Sequence, residues 1–64
     1  MVKHYQNINP FKLHEELIKN GIEPIFLEND CPEYEHNAEN VWITFKENVN
    51  IDLVNEIINS IKNI

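Results

Sequence analysis

Apolar residues recur along this 64-residue chain with two different periods. A spacing of three and four residues predicts amphipathic helices over about 10–20 and from residue 51 onward. The first apolar stripe comprises Phe11, Leu13, Leu17 and Ile18. The second comprises Leu53, Val54, Ile57, Ile58, Ile61 and Ile64. The second stripe is typical of a helix that faces a core, and a partner-binding helix is the alternative.

Local capping signals bound both predicted helices. Asn9 suits the N-cap position of the first helix, and Pro10 suits its first turn. Gly21 predicts a left-handed C-terminal ending, in which Ile22 folds back onto Leu17. The second helix has an asparagine N-cap, and the sequence leaves open whether it is Asn48 or Asn50.

A period of two predicts strands in the middle of the chain. Residues 25–27 form a short apolar run after Pro24, and residues 41–46 alternate strictly, with Trp42 on the polar side. The segment 28–40 between them is polar and acidic, which predicts a long loop. Residues 1–8 are interpreted as an N-terminal arm or a weak extra strand.

These elements predict one α+β domain over residues 1–64 with the order α-β-β-α. In it, a two-stranded antiparallel hairpin with a long acidic loop packs against two helices. Two strands make a narrow sheet, so edge-to-edge pairing with a second copy would widen it. We therefore expect a homodimer.

Composition and charge exclude several classes of protein. Five Lys+Arg oppose eleven Asp+Glu, giving a net charge of -6, which argues against direct nucleic-acid binding. No apolar run reaches the roughly 20 residues that cross a bilayer, and no secretory segment is recognisable. The single cysteine, Cys31, excludes an internal disulfide. We expect a cytoplasmic protein that does not bind membranes.

Negative charge is concentrated in the predicted loop. It contains five acidic residues and no lysine or arginine, namely Glu28, Asp30, Glu33, Glu35 and Glu39. A local negative potential favours encounter with a basic protein surface. A solvated loop that only aids solubility is the alternative.

Two aromatic residues are candidate anchors for such a partner. Tyr34 lies within the loop, and Trp42 lies on the outward side of the second strand. Tyrosine and tryptophan often dominate interface energies. Trp42 has an alternative role, in which it packs under residues 1–8.

The same loop contains Cys31 and His36, and a metal-binding module is one alternative function. Structural zinc sites usually show two paired sets of ligands, and this spacing supplies neither pair. Carboxylates near Cys31 would also disfavour its reactive thiolate. With Gly21 as the only glycine, there is no glycine-rich phosphate loop. The sequence predicts no enzyme activity, no metal site and no cofactor.

The order of helix, Gly21, apolar strand, polar loop, alternating strand and helix over residues 10–64 resembles small phage and prophage proteins. Such acidic proteins often inhibit host machinery, including anti-CRISPR and other anti-defence proteins that mimic nucleic acid. The resemblance implies a non-enzymatic inhibitor that occupies a basic, nucleic-acid-binding surface on a host protein. The alternative is a self-associating structural or assembly module of a phage.

Overall fold

The computed structural model describes residues 1–30 and 36–62 of the chain. The elements, in chain order, are β1 (Val2–Ile8), α1 (Pro10–Lys19), β2 (Phe26–Asn29), β3 (Ala38–Thr44) and α2 (Ile51–Lys62). The predicted α+β class and both predicted helices are confirmed.

The sheet has three antiparallel strands in the order β1-β3-β2. The predicted antiparallel pairing of the two middle strands is confirmed, but the sheet has three strands and not the predicted two, because residues 1–8 form the extra strand that the sequence left open. Residues 1–8 supply the third strand, β1, which pairs with β3 from Val2 opposite Thr44 to Ile8 opposite Ala38. On the other side of β3, β2 pairs from Phe26 opposite Thr44 to Asn29 opposite Val41. The third strand therefore comes from the same chain, and pairing with a second copy stays a prediction.

The connection between β2 and β3 is shorter than the predicted loop over 28–40. Glu28 and Asn29 belong to β2, while Ala38 and Glu39 belong to β3. Pairing extends this far because Asp30 and Asn40 bond to each other at the base of the connection. The backbone N–H of Asp30 donates to the carbonyl oxygen of Asn40 over 3.2 Å.

Helix α1 begins and ends as its sequence predicts. The side-chain oxygen of Asn9 accepts from the backbone N–H groups of Phe11 and Lys12 at 3.0 and 3.1 Å. Gly21 has φ +76°, and the N–H of Ile22 donates to the carbonyl oxygen of Leu17 over 2.9 Å. This is the Schellman ending, which favours glycine because a Cβ is strained at positive φ.

The N-cap of α2 is Asn50, whose side-chain oxygen accepts from the N–H of Leu53 over 3.1 Å. This settles the choice between Asn48 and Asn50. Val54, Ile57 and Ile58 are buried in the core, so the apolar stripe faces the interior of the domain.

The core lies between one face of the sheet and the two helices. Its buried apolar residues are Ile8, Leu13, Leu17, Ala38, Val41, Ile43, Phe45, Val54, Ile57 and Ile58. Alternation places Val41 and Ile43 on this covered face and Trp42 on the opposite one. Ile8 is also buried, after Asn7 at φ 55° reorients the end of β1.

Candidate binding face

The surface of the sheet opposite the helices is the candidate site, and we call it the outer face. Strand alternation and the observed register assign it Val2, His4, Gln6, Phe26, Glu28, Asn40, Trp42 and Thr44. Trp42 is 38% exposed, Phe26 59% and Val2 64%. Large apolar side chains therefore meet solvent on this face.

Trp42 lies at the centre of the outer face. It is opposite His4 on one side and Glu28 on the other. Its indole stacks on the imidazole of His4, with ring centroids 5.3 Å apart and an interplanar angle of 19°. Such cross-strand pairs stabilise sheets. The stack on His4 also brings Trp42 into contact with residues 1–8, which is the alternative role that the sequence allowed for it. Trp42 also keeps enough exposed surface to contact a partner.

Asn40 on β3 connects β1 to the residue that follows β2 through its side chain. Its Nδ2 donates to Oδ2 of Asp30 over 2.9 Å, and its Oδ1 lies 2.8 Å from Nε2 of His4. Because Asn40 presents an oxygen to the ring, Nε2 of His4 carries the hydrogen and donates it. Gln6 Nε2 also donates to the same oxygen over 3.5 Å. The network fixes the orientation of the imidazole that stacks on Trp42.

Asp30 is the anchor of this network. Its Oδ1 accepts the backbone N–H of Asn40 over 3.0 Å. The hydrogen bonds from the Asn40 backbone and side chain lower the pKa of this carboxyl group below its ordinary value, because they favour the ionised form. Asp30 is therefore a fixed negative charge at neutral pH.

A shallow depression of about 370 Å³ lies on the outer face. Its lining comprises Val2, Phe26, Glu28, Trp42 and Thr44. The depression thus combines apolar side chains with one carboxylate. That combination suits a partner group with an apolar stem and a positive end, such as a lysine or arginine side chain.

The structure places the predicted site residues in two groups. Glu28, Asp30 and Glu39 are exposed, and they lie on β2, directly after it, and on β3. With Trp42 they form one region, in which acids adjoin the outer face. Glu33, Tyr34 and Glu35 lie outside the described residues.

The chain's own lysines leave the carboxylates of this region unpaired in the described part of the chain. The ion pairs there join Lys19 to Glu15 and Glu16 at 3.7 and 3.4 Å, on the exposed side of α1. Glu28, Asp30 and Glu39 take part in neither. The negative potential near the outer face is therefore not cancelled locally.

Sequence reasoning missed five contributors to the outer face, namely Val2, His4, Gln6, Phe26 and Asn40. Val2 and His4 belong to a strand whose partner is about forty residues away. Asn40 was assigned to the loop. Phe26 was assigned to an apolar run, although its register opposite Thr44 shares the face of Trp42. The alternation of 40, 42 and 44 was the signal available for Asn40.

The described residues add no cluster of ligands to the alternative metal site. Among residues 1–30 and 36–62, no three His, Cys, Asp or Glu side chains are grouped so as to hold a metal ion. His36 is exposed, and Cys31 lies outside the described residues.

In comparisons by sequence and by structure, the chain matches no family model, no curated protein and no solved structure. The resemblance to small phage proteins stays a prediction. Within the described residues, neither helix has the length and apolar character needed to span a bilayer.

Proposed function

We propose that this chain is a non-enzymatic binding protein that uses the outer face to occupy a basic surface on another protein. The observation that supports this best is the uncovered position of Trp42, Phe26 and Val2 beside Glu28. Interfaces typically combine an aromatic and apolar centre with a polar rim. Here the rim is acidic, so the complementary surface is basic.

The basic surface we propose is one that binds nucleic acid in a host protein. A net charge of -6 makes the chain itself a poor ligand for phosphates and a good competitor for their binding site. The resemblance to phage proteins in the order of helices and strands favours a phage or mobile element as the source. It also favours the host cytoplasm as the place of action. In this role the chain would act as an anti-defence inhibitor.

A pair of charge-reversed variants tests the location of the site. Glu28→Lys with Glu39→Lys changes one carboxylate of the outer face and one exposed carboxylate next to Asn40 on β3, while Glu47→Lys with Glu56→Lys changes exposed positions near and on α2. Both variants move the net charge from -6 to -2, since each replaces two negative charges with two positive ones. Any difference between them therefore reports position and not total charge.

The three proteins are immobilised and used to capture partners from bacterial cytosol at low salt. We expect one nucleic-acid-binding protein to be retained by the unmodified chain and by the Glu47, Glu56 variant and lost from the Glu28, Glu39 variant. The free chain should then displace nucleic acid from that purified protein. Equal capture by both variants, or capture without displacement, would contradict the proposal.

Trp42→Ala sharpens the same test without altering charge. Loss of an aromatic anchor at the centre of an interface costs about 2 kcal/mol or more of binding free energy, which is roughly 30-fold in affinity. The captured protein should therefore bind this variant much more weakly, while thermal unfolding stays cooperative. Unchanged affinity would exclude Trp42 from the contact.

A further inference from the structure

Strand β1 lies at an edge of the sheet with half of its backbone groups directed away from β3. Met1 and Phe45 exchange both backbone hydrogen bonds, at 3.1 and 2.8 Å. In an antiparallel pair such residues alternate with residues whose N–H and C=O point outward. The outward set on β1 is therefore Val2, His4 and Gln6.

The edge of β1 differs in charge from the rest of the molecule. The first acidic residue of the chain is Glu15, so residues 1–14 have two lysines and no acid. Residues 15–64 then carry three lysines and eleven acids, a net charge of -8. Two acidic molecules can approach each other through β1 without placing carboxylates opposite one another.

We propose that β1 pairs antiparallel with β1 of a second copy about a two-fold axis, so that two three-stranded sheets become one six-stranded sheet. The pairing is centred on His4 and uses residues 2–6, because Asn7 at φ 55° interrupts the regular strand. Val2 then pairs with Gln6 of the second copy. Lys3 lies opposite Tyr5 of the second copy, so the two lysines do not face each other.

The opposite edge of the sheet is a poorer site for the second copy. Strand β2 has only four residues and includes Glu28. Two β2 strands would bring like charges together, which is unfavourable in cross-strand pairs. A β1 to β2 contact would leave one free edge at each end and would grow into a chain of molecules. Of the arrangements that close as a dimer, only β1 to β1 avoids placing these like charges together.

The proposed contact is small. A single strand pair buries less than the roughly 1,200 Å² of a stable interface, so we expect a weak and concentration-dependent dimer. It places two outer faces side by side on the same surface of the joined sheet. The contact itself uses neither Glu28 nor Glu39, so the charge-reversed variants above leave it intact.

Gln6→Pro tests the proposed edge. Proline removes the outward N–H of Gln6, and an edge strand tolerates it when that N–H faces solvent. Gln6→Ala is the matched control, because it also loses the side chain but keeps the N–H. Circular dichroism and thermal unfolding of both dilute variants establish that each is folded.

Sedimentation equilibrium then measures association up to about 1 mM, the range expected for a small interface. We expect the unmodified chain and Gln6→Ala to rise from 7.6 kDa towards twice that mass. The dissociation constant of Gln6→Pro should be at least about tenfold higher, since a paired backbone donor is lost. A chain that stays monomeric at the highest concentration, a Gln6→Pro variant that still dimerises, or larger open assemblies would overturn the proposal.

Amide hydrogen exchange tests the same edge in the unmodified chain. Amides of Val2, His4 and Gln6 should exchange rapidly in dilute solution and become protected as concentration rises. Lys3 and Tyr5 should be protected at both concentrations, because their N–H groups bond to β3. Protection gained on β2, or on no residue of β1, would contradict the pairing.

Discussion

The two faces of β3 meet opposite environments. Val41 and Ile43 are fully buried against the helices, while Trp42 between them is 38% exposed on the outer face. One seven-residue strand thus holds the core together and also presents the candidate binding surface. The difference teaches that substitutions one residue apart should separate stability from binding.

Ile43→Ala and Trp42→Ala give the largest expected contrast. Truncating buried Ile43 should lower the free energy of unfolding by about 2–5 kcal/mol, because it leaves a cavity in the core. Truncating Trp42 should cost about 1 kcal/mol, mainly through the lost stack on His4. Urea unfolding measures both changes. Equal losses would show that the outer face is structural and would remove the contrast.

Asn40→Ala tests the polar network of the outer face. It removes the side-chain hydrogen bonds with Asp30 and His4 but keeps the backbone ones, so we expect a clear loss of stability that is smaller than that of Ile43→Ala. Amide exchange should accelerate at Asp30, because its N–H donates to the backbone carbonyl oxygen of residue 40, which the side-chain bond between the two residues no longer holds in place. Thr44→Ala, on the same face but outside this network, is the control and should leave that amide unchanged. Identical exchange in both variants would contradict the role of Asn40.

Tyr5→Phe examines the covered face near the β1 edge. The buried hydroxyl of Tyr5 has no hydrogen-bond partner in the described part of the chain, and desolvation raises its pKa above 10.0. Removing that hydroxyl should leave stability unchanged or raise it by about 1 kcal/mol.

The raised pKa of Tyr5 also gives a pH dependence with a definite sign. Above pH 10 the unfolded chain releases the phenolic proton more readily than the folded one, so the native protein loses stability as pH rises. Thermal unfolding between about pH 9 and 11 should show a steeper decline for the unmodified chain than for Tyr5→Phe. Parallel declines would contradict the burial of the hydroxyl.

Asp30→Asn gives the smallest expected effect. The pKa of Asp30 is lower in the folded chain than its ordinary value of 3.8. The ionised carboxylate therefore stabilises the native state at pH values above 3.8, and this stabilisation is lost as the pH falls through the pKa of the folded state. The difference in melting temperature between the two proteins should therefore shrink below about pH 4. A difference that is constant with pH would show that ionisation of Asp30 does not matter.

The sequence predicted those parts of the fold whose causes are local. Asn9 caps the start of α1 and Gly21 allows its ending, and both form hydrogen bonds only with residues a few positions away in the chain. The alternation of 41–46 correctly assigned Val41 and Ile43 to the core. These signals need no knowledge of distant segments.

The sequence left residues 1–8 open between an arm and a weak extra strand, because the cause of the third strand is nonlocal. In β1, Lys3, His4 and Gln6 give no apolar alternation, and the strand forms because β3 supplies its hydrogen-bond partners from far along the chain. Glu39 and Asn40 have low strand propensity and nevertheless lie in β3, where Asp30 and β1 pair with them. The sequence therefore predicted only part of the outer face: it identified Trp42 but not His4, Phe26 and Asn40.

The central position of β3 has a consequence for synthesis of the chain on the ribosome. Neither β1 nor β2 pairs with the other, so both wait for residues 38–44 to leave the exit tunnel before either gains its partner. The first thirty residues therefore leave the exit tunnel before the sheet can form, and their apolar side chains stay exposed to solvent until then. Such late closure is slow relative to local helix formation and makes the nascent chain vulnerable to aggregation until its second half arrives.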